Sequence, residues 1–268
     1  MAASFVKEVA QTTSTSAGTT VNLTVAAGGV ALGDVIVILG AADNSGTSGA
    51  ATTVSAADNH AGTTNVYTLR TPQGIADPGA ASAGAQACIL HCPVTTALSA
   101  GDVIQVTLGN STTSKAFVAE QFTGLRTDSG LFLPGSYATD DNETGQVVSL
   151  STTPARAGQL VIGCVAIEGL AADSFTNDSD TTNGSWVALT ARYGDTGTAT
   201  TSMGVRGFYK IVNAPGTQTW GSATMLGTGR DHCGAIVTLD IPSDPRKVIG
   251  VGSEIPHRTM VAMRGRGR

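Results

Sequence analysis

The stretch VNLTVAAGGVALGDVIVILGAA, residues 21–42, decides the fold class. Val21, Leu23 and Val25 alternate with polar residues, as on a strand that buries one face. A glycine-containing turn follows, and residues 35–38 are then apolar at every position. A short, uninterrupted apolar run bounded by turn residues is typical of a strand that is buried on both faces. The stretch therefore predicts a strand, a turn and a buried strand.

The same shape returns later in the chain. Residues 147–169, VVSLSTTPARAGQLVIGCVAIEG, again alternate, turn and enter an apolar run, and a shorter relative, LSAGDVIQVTLG, occupies residues 98–109. In each case a glycine precedes Asp or Gln just before the apolar residues. Glycine adopts positive φ without strain, and Asp bonds nearby backbone amides, so these pairs predict tight turns that open into strands.

The composition favours strands over helices throughout the chain. Charged residues make up 13% of the 268 positions, about half the usual ~25%, and 41% of the residues are apolar, which argues against disorder. Only four residues are Lys, whereas Thr- and Val-rich runs alternate with Gly, Ser and Asn. We expect an all-β fold, an antiparallel and jelly-roll-like β-sandwich built from two similar halves, with an extended C-terminal arm.

The internal repeat also predicts the domain boundaries. We expect a lead segment at residues 1–16, the sandwich at 17–243 and a basic, extended arm at 244–268. Within the sandwich the halves are 17–125 and 146–243, joined by a weakly patterned connector at 126–145. Two separate sandwiches are the alternative. One sandwich is preferred because two similar halves can bury both of their apolar faces together.

Neither a signal peptide nor a disulfide framework is indicated. The first 18 residues lack a basic segment followed by an apolar stretch of about 7–15 residues, and the apolar run DVIVILGAA is too short to span a bilayer. We therefore expect no membrane association and a protein that stays in the compartment where it is synthesised, unless it leaves by lysis or assembly. The four cysteines are sparse for this length, and Cys164 lies in an apolar run where a thiol behaves as a small hydrophobe.

Two segments resemble metal sites at first glance. In CILHC, Cys88 and Cys92 would share one face of a strand while His91 points to the other, so further ligands would have to come from elsewhere, such as His232 and Cys233. Residues 177–185, NDSDTTNGS, resemble a calcium loop but lack the required bidentate Glu. Buried core thiols and a solvated turn are the favoured interpretations, and no metal or cofactor is predicted.

The sequence shows no signature of an enzyme. It contains no Gly-x-Ser-x-Gly elbow, no phosphate-binding loop and no dinucleotide fingerprint. Asp231 beside His232 does not define a triad, because triads are set by spatial geometry. A hidden carboxylate pair of a glycosidase remains an alternative, although aromatic residues make up only 4% of the chain. We predict a protein that is not an enzyme.

The C-terminal arm differs in charge from the rest of the chain. Residues 246–268 hold six Lys or Arg and one Glu, whereas residues 1–245 hold nine Lys or Arg and nineteen Asp or Glu. The arm is also partly apolar, and a segment that orders on a partner can bury such residues. Three interpretations stay open: anchoring on a neighbouring subunit, which is preferred, simple disorder, and binding of nucleic acid, which is disfavoured. The predicted interaction residues are Arg246, Lys247, Ile249, Ile255, Arg258, Met260, Met263, Arg264, Arg266 and Arg268.

The order of the segments resembles a known family. Turn-linked apolar strands are followed by VSAADNHAGTTNVYTLRT, KAFVAEQFTGL, GFYKIVNAPGTQTWGSAT and RDHCGAIVTLDI. This order, over residues 17–241, is similar to that of jelly-roll-like β-sandwich proteins of tailed phages and actinobacterial genomes, found among minor tail and decoration components. The resemblance implies a structural role in the virion, with assembly in the host cytoplasm and contacts with other virion proteins. Thr- and Ser-rich faces of low charge suit large, flat contacts, which are normally symmetric, so we expect a homo-oligomer. It transfers no catalytic residues, and the arm lies outside it.

A carbohydrate- or receptor-binding module on the virion is the alternative function. Glycans bind on exposed aromatic side chains, and the candidates are Trp186, Tyr193 and Trp220. Exposure of these residues on a concave face would favour the alternative, and burial of all three would weaken it.

Overall fold

The structure is a computed structural model of the full chain. It describes residues 2–43, 51–62, 64–70, 73–76, 84–140, 148–221, 225–226 and 231–243.

The described part of the first half consists of strands and turns. Its strands, in chain order, are β1 (Ser4–Ser14), β2 (Gly18–Thr24), β3 (Val35–Asp43), β4 (Val54–Asp58), β5 (Thr68–Leu69), β6 (Gly74–Ile75), β7 (Ala85–Pro93), β8 (Val103–Thr112) and β9 (Lys115–Thr123).

The described part of the second half also consists of strands and turns, with one short 3-10 turn, Ala199–Thr201. Its strands are β10 (Phe132–Asp140), β11 (Ser149–Thr152), β12 (Leu160–Glu168), β13 (Ser174–Phe175), β14 (Val187–Ala188), β15 (Arg192–Gly194), β16 (Met203–Ile211), β17 (Gln218–Gly221), β18 (Met225–Leu226) and β19 (His232–Leu239).

The two halves have the same sheet topology. The large antiparallel sheet of the first half has the order β1-β9-β3-β7-β5, with β6 also paired to β7. The large sheet of the second half has the order β10-β19-β12-β16-β14, with β15 also paired to β16. When the strands are numbered within each half, these orders differ only for the last strand, β9 or β19, because the second half has the additional short strand β18. The internal repeat predicted from residues 21–42 and 147–169 is therefore a repeat of topology.

The hydrogen-bond register of the two large sheets is also the same. Val35 pairs with Pro93 on one side and Phe122 on the other, and Leu160 pairs with Ile211 and Leu239 in the matching strands. At the far end of the central strands, Asp43 N donates to Ser114 O (3.1 Å), and Glu168 N donates to Asp231 O (2.8 Å). Structurally equivalent residues can therefore be assigned one by one.

The predicted turns are present at the repeated positions. Gly33 has φ 88°, Gly158 has φ 84° and Gly101 has φ 91°, all in the left-handed region. Asp102 accepts a hydrogen bond from Ser99 N (2.7 Å), and the side chain of Gln159 accepts one from Ala155 N (2.7 Å). In these two pairs the side chain thus closes its turn as the residue types suggest, whereas the side chain of Asp34 accepts from Gln121 Nε2 (2.5 Å).

Four of the five described sheets form layers, and the fifth is the short pair β13-β18. Sheet β2-β8-β4 covers the outer face of the first large sheet, and the pair β11-β17 covers the outer face of the second. The inner faces of the two large sheets pack against each other around a central core that includes Leu39, Ile162 and Cys164. In β3, Val35, Val37 and Leu39 belong to this core, whereas Ile36 and Ile38 belong to the outer core. The predicted burial of this strand on both faces is confirmed.

The central packing is reciprocal. Strand β3 contacts β16 while β12 contacts β7, and β9 contacts β16 while β19 contacts β7. Each contact made by one half is thus repeated by the equivalent strands of the other, which is the pattern of an isologous interface. The halves are related by an approximate twofold axis that runs along the strands, like two subunits joined in one chain.

The all-β fold with antiparallel sheets packed against each other is confirmed. Its jelly-roll character stays a prediction. On the choice between one sandwich and two, the central sandwich formed by both halves carries an additional sheet on each side. In this arrangement every half is a small sandwich, and the two also share a core.

Two boundaries also differ from the prediction. Strand β1 lies within the predicted lead segment 1–16 and is the edge strand of the first large sheet. Strand β10 lies within the predicted connector 126–145 and is the edge strand of the second. Bulges interrupt β1 after Phe5 and after Glu8, and the register of β10 shifts between Phe132 and Tyr137. These irregularities break the two-residue alternation that identifies a strand in a sequence.

Candidate functional site

A cavity of 310 Å³ lies at one corner of the molecule, where the two large sheets meet the chain between them. Its walls are the segment 64–70 with β5, the end of β7 and the segment 127–132 that leads into β10. The cavity is therefore built from both halves of the repeat. It combines one guanidinium, one imidazole, several hydroxyl groups and an apolar wall.

Arg70 is held in place by three contacts. Its backbone N donates to Ile89 O (2.8 Å), which continues the pairing of β5 with β7. The guanidinium carbon lies 3.8 Å from the centroid of the Phe132 ring, a cation–π contact. Its Nε donates to His91 Nδ1 (3.0 Å), and Nη2 lies 2.5 Å from His91 Nε2. Phe132 and His91 thus hold the guanidinium at the cavity wall.

The charges of the cavity follow from these contacts. Burial lowers the pKa of Arg70 to about 10, so the guanidinium stays protonated at neutral pH. Burial, reinforced by the charge of Arg70, lowers the pKa of His91 to about 3. A neutral imidazole can accept the hydrogen bond from Arg70, whereas a protonated imidazole cannot. The imidazole and guanidinium together carry a single positive charge.

No carboxylate pairs with Arg70 among the residues that the structure describes. Four other cations of the body, Arg126, Arg156, Arg192 and Lys210, each form an ion pair. A partly buried cation without a counterion is costly unless something compensates for its lost hydration. Arg70 lines the open space of the cavity.

The rest of the cavity wall is suited to contact with a small polar molecule. Hydroxyl groups come from exposed Thr and Ser residues, and Thr64 Oγ1 and Thr95 Oγ1 form a hydrogen bond of 2.8 Å. Val66, which is 67% exposed, Pro93 and Leu131 form an apolar wall. Asp128 lies at the rim, where Arg126 binds both of its carboxylate oxygens (2.8 and 2.9 Å). The arrangement can bind a ligand, and its imidazole is already engaged by Arg70.

The ten predicted interaction residues of the arm lie outside the described residues, since the description ends at Ser243. The last described residues, by contrast, have a defined place on the surface of the body. Pro242 and Ser243 line a depression of 220 Å³ together with Leu125, Arg126 and Thr127. Thr127 also lines the cavity. The last described residues therefore lie beside the corner that holds Arg70.

The four cysteines are free and buried. Cys88 and Cys92 face the outer core of the first half, while His91 lies on the opposite face of β7, as the strand geometry predicts. Cys164 and Cys233 lie in the central core. Burial raises the pKa of all four thiols. Among the described residues no group of three or more His, Cys, Asp or Glu side chains is arranged to hold a metal.

The segment NDSDTTNGS forms a hydrogen-bonded turn. Asp178 accepts from Asp180 N (2.7 Å), and Asp180 accepts from Thr182 N (2.9 Å). Asp180 also pairs with the buried ammonium of Lys210 (3.0 Å). The pKa of Asp180 is lowered, chiefly by the hydrogen bond from the backbone N–H of Thr182 and also by the contact with Lys210. The carboxylates thus stabilise the loop over β16.

The aromatic residues proposed for glycan binding do not form an exposed surface. Trp186 is 5% exposed and Trp220 is fully buried, and both pack on Phe208 in the outer core of the second half. Tyr193 is half-buried and donates to Asp173 O (3.2 Å). Glycan binding through these side chains is therefore disfavoured.

A second cluster of ionisable groups lies at the seam between the halves. Arg192 Nη2 binds both oxygens of Glu8 (2.8 and 2.7 Å). Beside them Glu120 is 1% exposed, and its Oε2 has no hydrogen-bond partner among the described residues. Burial and the charge of Glu8 raise the pKa of Glu120 to about 8, against the opposing effect of Arg192. This cluster links the halves through the ion pair of Glu8 and Arg192.

Comparison with known proteins identifies no relative: no family model, no curated protein and no solved structure matches the chain. Within the described residues, the structure contains no helix that is long and apolar enough to cross a membrane. The candidate site therefore has to be judged on its own geometry.

The sequence analysis missed Arg70. The residue appears in the strand-like piece NVYTLRT without any motif around it. One signal was available, because Arg70 is the sole arginine among residues 1–125 of a chain that uses few charges. Phe132 and His91 meet Arg70 only through the fold, so the site itself could not be predicted from sequence neighbours.

Proposed function

We propose that the protein is a structural component of a tailed-bacteriophage particle, a minor tail or capsid decoration protein. In this proposal it docks on neighbouring virion subunits through residues 244–268. The observation that carries the proposal is the reciprocal packing of two sandwiches around one core, with all four thiols and several charged side chains enclosed in the body. Such a body is suited to persistence outside the cell, because its reactive groups are shielded from solvent.

Two further features support docking through the arm. The body carries the excess of acidic residues and the arm the excess of basic residues, so an arm can be attracted to the acidic body of a neighbouring copy. The body ends at Ser243 in an open depression at the surface, from which an arm can reach another subunit. Self-association would use the outer faces or the sheet edges, since the inner faces are already paired with each other.

The test compares three versions of the protein in particles assembled without the native copy. They are the full chain, a chain that ends at Asp244, and a chain in which Arg258, Arg264, Arg266 and Arg268 are replaced by Gln. We expect the full chain to be incorporated, but less so as salt rises, because exposed charges are screened by salt. The Gln variant should already be reduced at low salt and depend less on salt, and the truncated chain should be lost. Particle mass spectrometry measures the incorporation.

Equal incorporation of the full and truncated chains would assign docking to the faces of the sandwich. Absence of the full chain from every particle would overturn the structural role. Glycan or receptor binding is the alternative function, and the observation that favours it is the cavity around Arg70, since the tryptophans are buried.

A further inference from the structure

We propose that the cavity around Arg70 binds a small acidic sugar, with the carboxylate or phosphate of the ligand on the guanidinium and its hydroxyl groups on the Thr and Ser side chains. This inference stands independently of the structural role in a particle. It rests on the comparison of two equivalent corners of the molecule, on the unpaired charge and on the composition of the cavity wall.

The approximate twofold axis gives every residue of the cavity a counterpart. Strand pairing and register place Leu189 at the position of Arg70, because Leu189 N donates to Gly207 O (3.0 Å) as Arg70 N donates to Ile89 O (2.8 Å). By the same register Tyr209 corresponds to His91. Phe5, paired with Phe122, corresponds to Phe132, paired with Leu239.

The two corners differ in what fills them. At the corner of Leu189, the rings of Phe5, Phe122 and Tyr209 pack against one another at centroid distances of 5.5 and 5.6 Å. Leu189 itself is 8% exposed and belongs to the central core. At the corner of Arg70, Arg70 and His91 occupy the equivalent positions, and an open cavity of 310 Å³ remains. The scaffold can close this corner with apolar side chains, so the charge and the opening are not required by the fold.

The charge of Arg70 favours an anion, since the carboxylate of Asp128 in the same wall is bound by Arg126. Arg70 has no carboxylate partner among the described residues, and its guanidinium provides N–H donors beyond the one that binds His91. Guanidinium groups bind carboxylates and phosphates through paired, charge-assisted hydrogen bonds. Stacking on Phe132 holds the group in one orientation, which reduces the entropy lost on binding.

The residues of the cavity wall and the volume of the cavity favour a sugar ring as the part of the ligand that carries the anionic group. Hydroxyl groups of Thr64, Thr95 and Ser129 are matched to a polyhydroxylated ring, and Val66 and Pro93 can contact its C–H face. A volume of 310 Å³ lies at the lower end of the ~300–1,000 Å³ that ligand pockets span, which favours a monosaccharide over a longer chain. A nucleobase would need a free aromatic face, and the face of Phe132 is taken by Arg70.

The test measures binding to the full-length protein by calorimetry at low salt. The probes are glucuronate, glucose 6-phosphate and neutral glucose, with an acetylated dipeptide as a carboxylate that lacks hydroxyl groups. We expect an acidic sugar to bind at least about tenfold more tightly than glucose, since hydrogen bonds to charged groups contribute more than neutral ones. The carboxylated and phosphorylated probes distinguish the two sources of the anion.

The central variant is Arg70→Leu, which introduces the residue that the second half carries at the equivalent position. It should weaken binding of the acidic sugar at least about tenfold and leave the weak binding of glucose unchanged. Arg206→Leu, in β16 and outside the cavity wall, is the matched control and should bind as the unchanged protein does. Ser129→Tyr, in an exposed loop at the cavity, should block every sugar by filling the space.

Three results would overturn the proposal. They are failure of both acidic sugars to bind, binding that persists in folded Arg70→Leu and Ser129→Tyr proteins, and binding of the dipeptide in preference to the sugars. If Arg70→Leu does not fold, the Ser129→Tyr protein decides the question. Loss of particle incorporation has no bearing on these measurements, so this inference and the proposed structural role fail separately.

Discussion

The two halves of the molecule share a topology and a register but use them for different purposes. In the second half the corner residue Leu189 is buried and completes the core. In the first half its counterpart Arg70 is half-exposed, stacks on Phe132 and faces a cavity. The backbone hydrogen bonds at the two positions are the same. The comparison teaches that backbone pairing defines the fold, while side chains at a few equivalent positions decide where a site can form.

The difference between the corners extends along the seam. Glu120, on β9, corresponds by register to Val237 on β19. Val237 is buried in the central core, as expected of an apolar residue. Glu120 is equally buried but ionisable, and it lies beside the ion pair of Glu8 and Arg192. The halves are thus asymmetric in charge at positions where they are symmetric in backbone.

The largest effect is expected when the corner residues are exchanged. Leu189→Arg places a cation without a partner in the central core and should lower the free energy of unfolding by about 3–5 kcal/mol. Arg70→Leu removes a half-exposed charge and should change it by about 1 kcal/mol or less. Urea unfolding of both proteins measures the contrast. Similar losses in the two variants would show that the corners are not specialised in the way described.

A smaller effect is expected from pH at the seam. The raised pKa of Glu120 means that the native state holds this proton more tightly than the unfolded chain. Its contribution to stability is therefore full below the usual value of 4.5 and is lost as pH rises to about 8. Glu120→Gln should unfold like the unchanged protein at pH ~5 and be more stable by about 2–4 kcal/mol at pH ~9.

Thermal and urea unfolding across this pH range check the effect of Glu120. Asp128→Asn, an exposed carboxylate at the other corner, is the matched control and should not reproduce the gain at high pH. If Glu120→Gln showed the same pH dependence of unfolding as the unchanged protein, the charge of Glu120 would not distinguish the two halves.

The smallest effect concerns the two equivalent turns. Gly33→Ala strains a positive φ but meets no atom within 4 Å, so it should cost about 1 kcal/mol. Gly158→Ala carries the same strain, and its added methyl group would also lie 3.1 Å from Ile241 and 3.3 Å from Ala2. We expect the Gly158 variant to be the less stable of the two, measured by urea unfolding. An equal loss of stability in the two variants would show that Ile241 and Ala2 move aside for the added methyl group without a measurable cost.

Much of this architecture could be predicted because it is written in local patterns. The alternation at Val21–Val25, the apolar runs of β3 and β12 and the glycines that open them all depend on neighbouring residues. The face assignment of Cys88 and His91 follows from the two-residue period of a strand. The edge strands β1 and β10 escaped prediction because bulges and register shifts interrupt that period.

By itself, the sequence determined the strand content, the duplication and the positions of the main turns, since hydrophobic period and turn chemistry act over a few residues. The tertiary structure alone decided the four layers, the reciprocal packing of the halves and the meeting of Arg70, His91 and Phe132. These features join residues that are far apart in the chain. Long-range pairing depends on which apolar faces cover each other, and no local pattern records that choice.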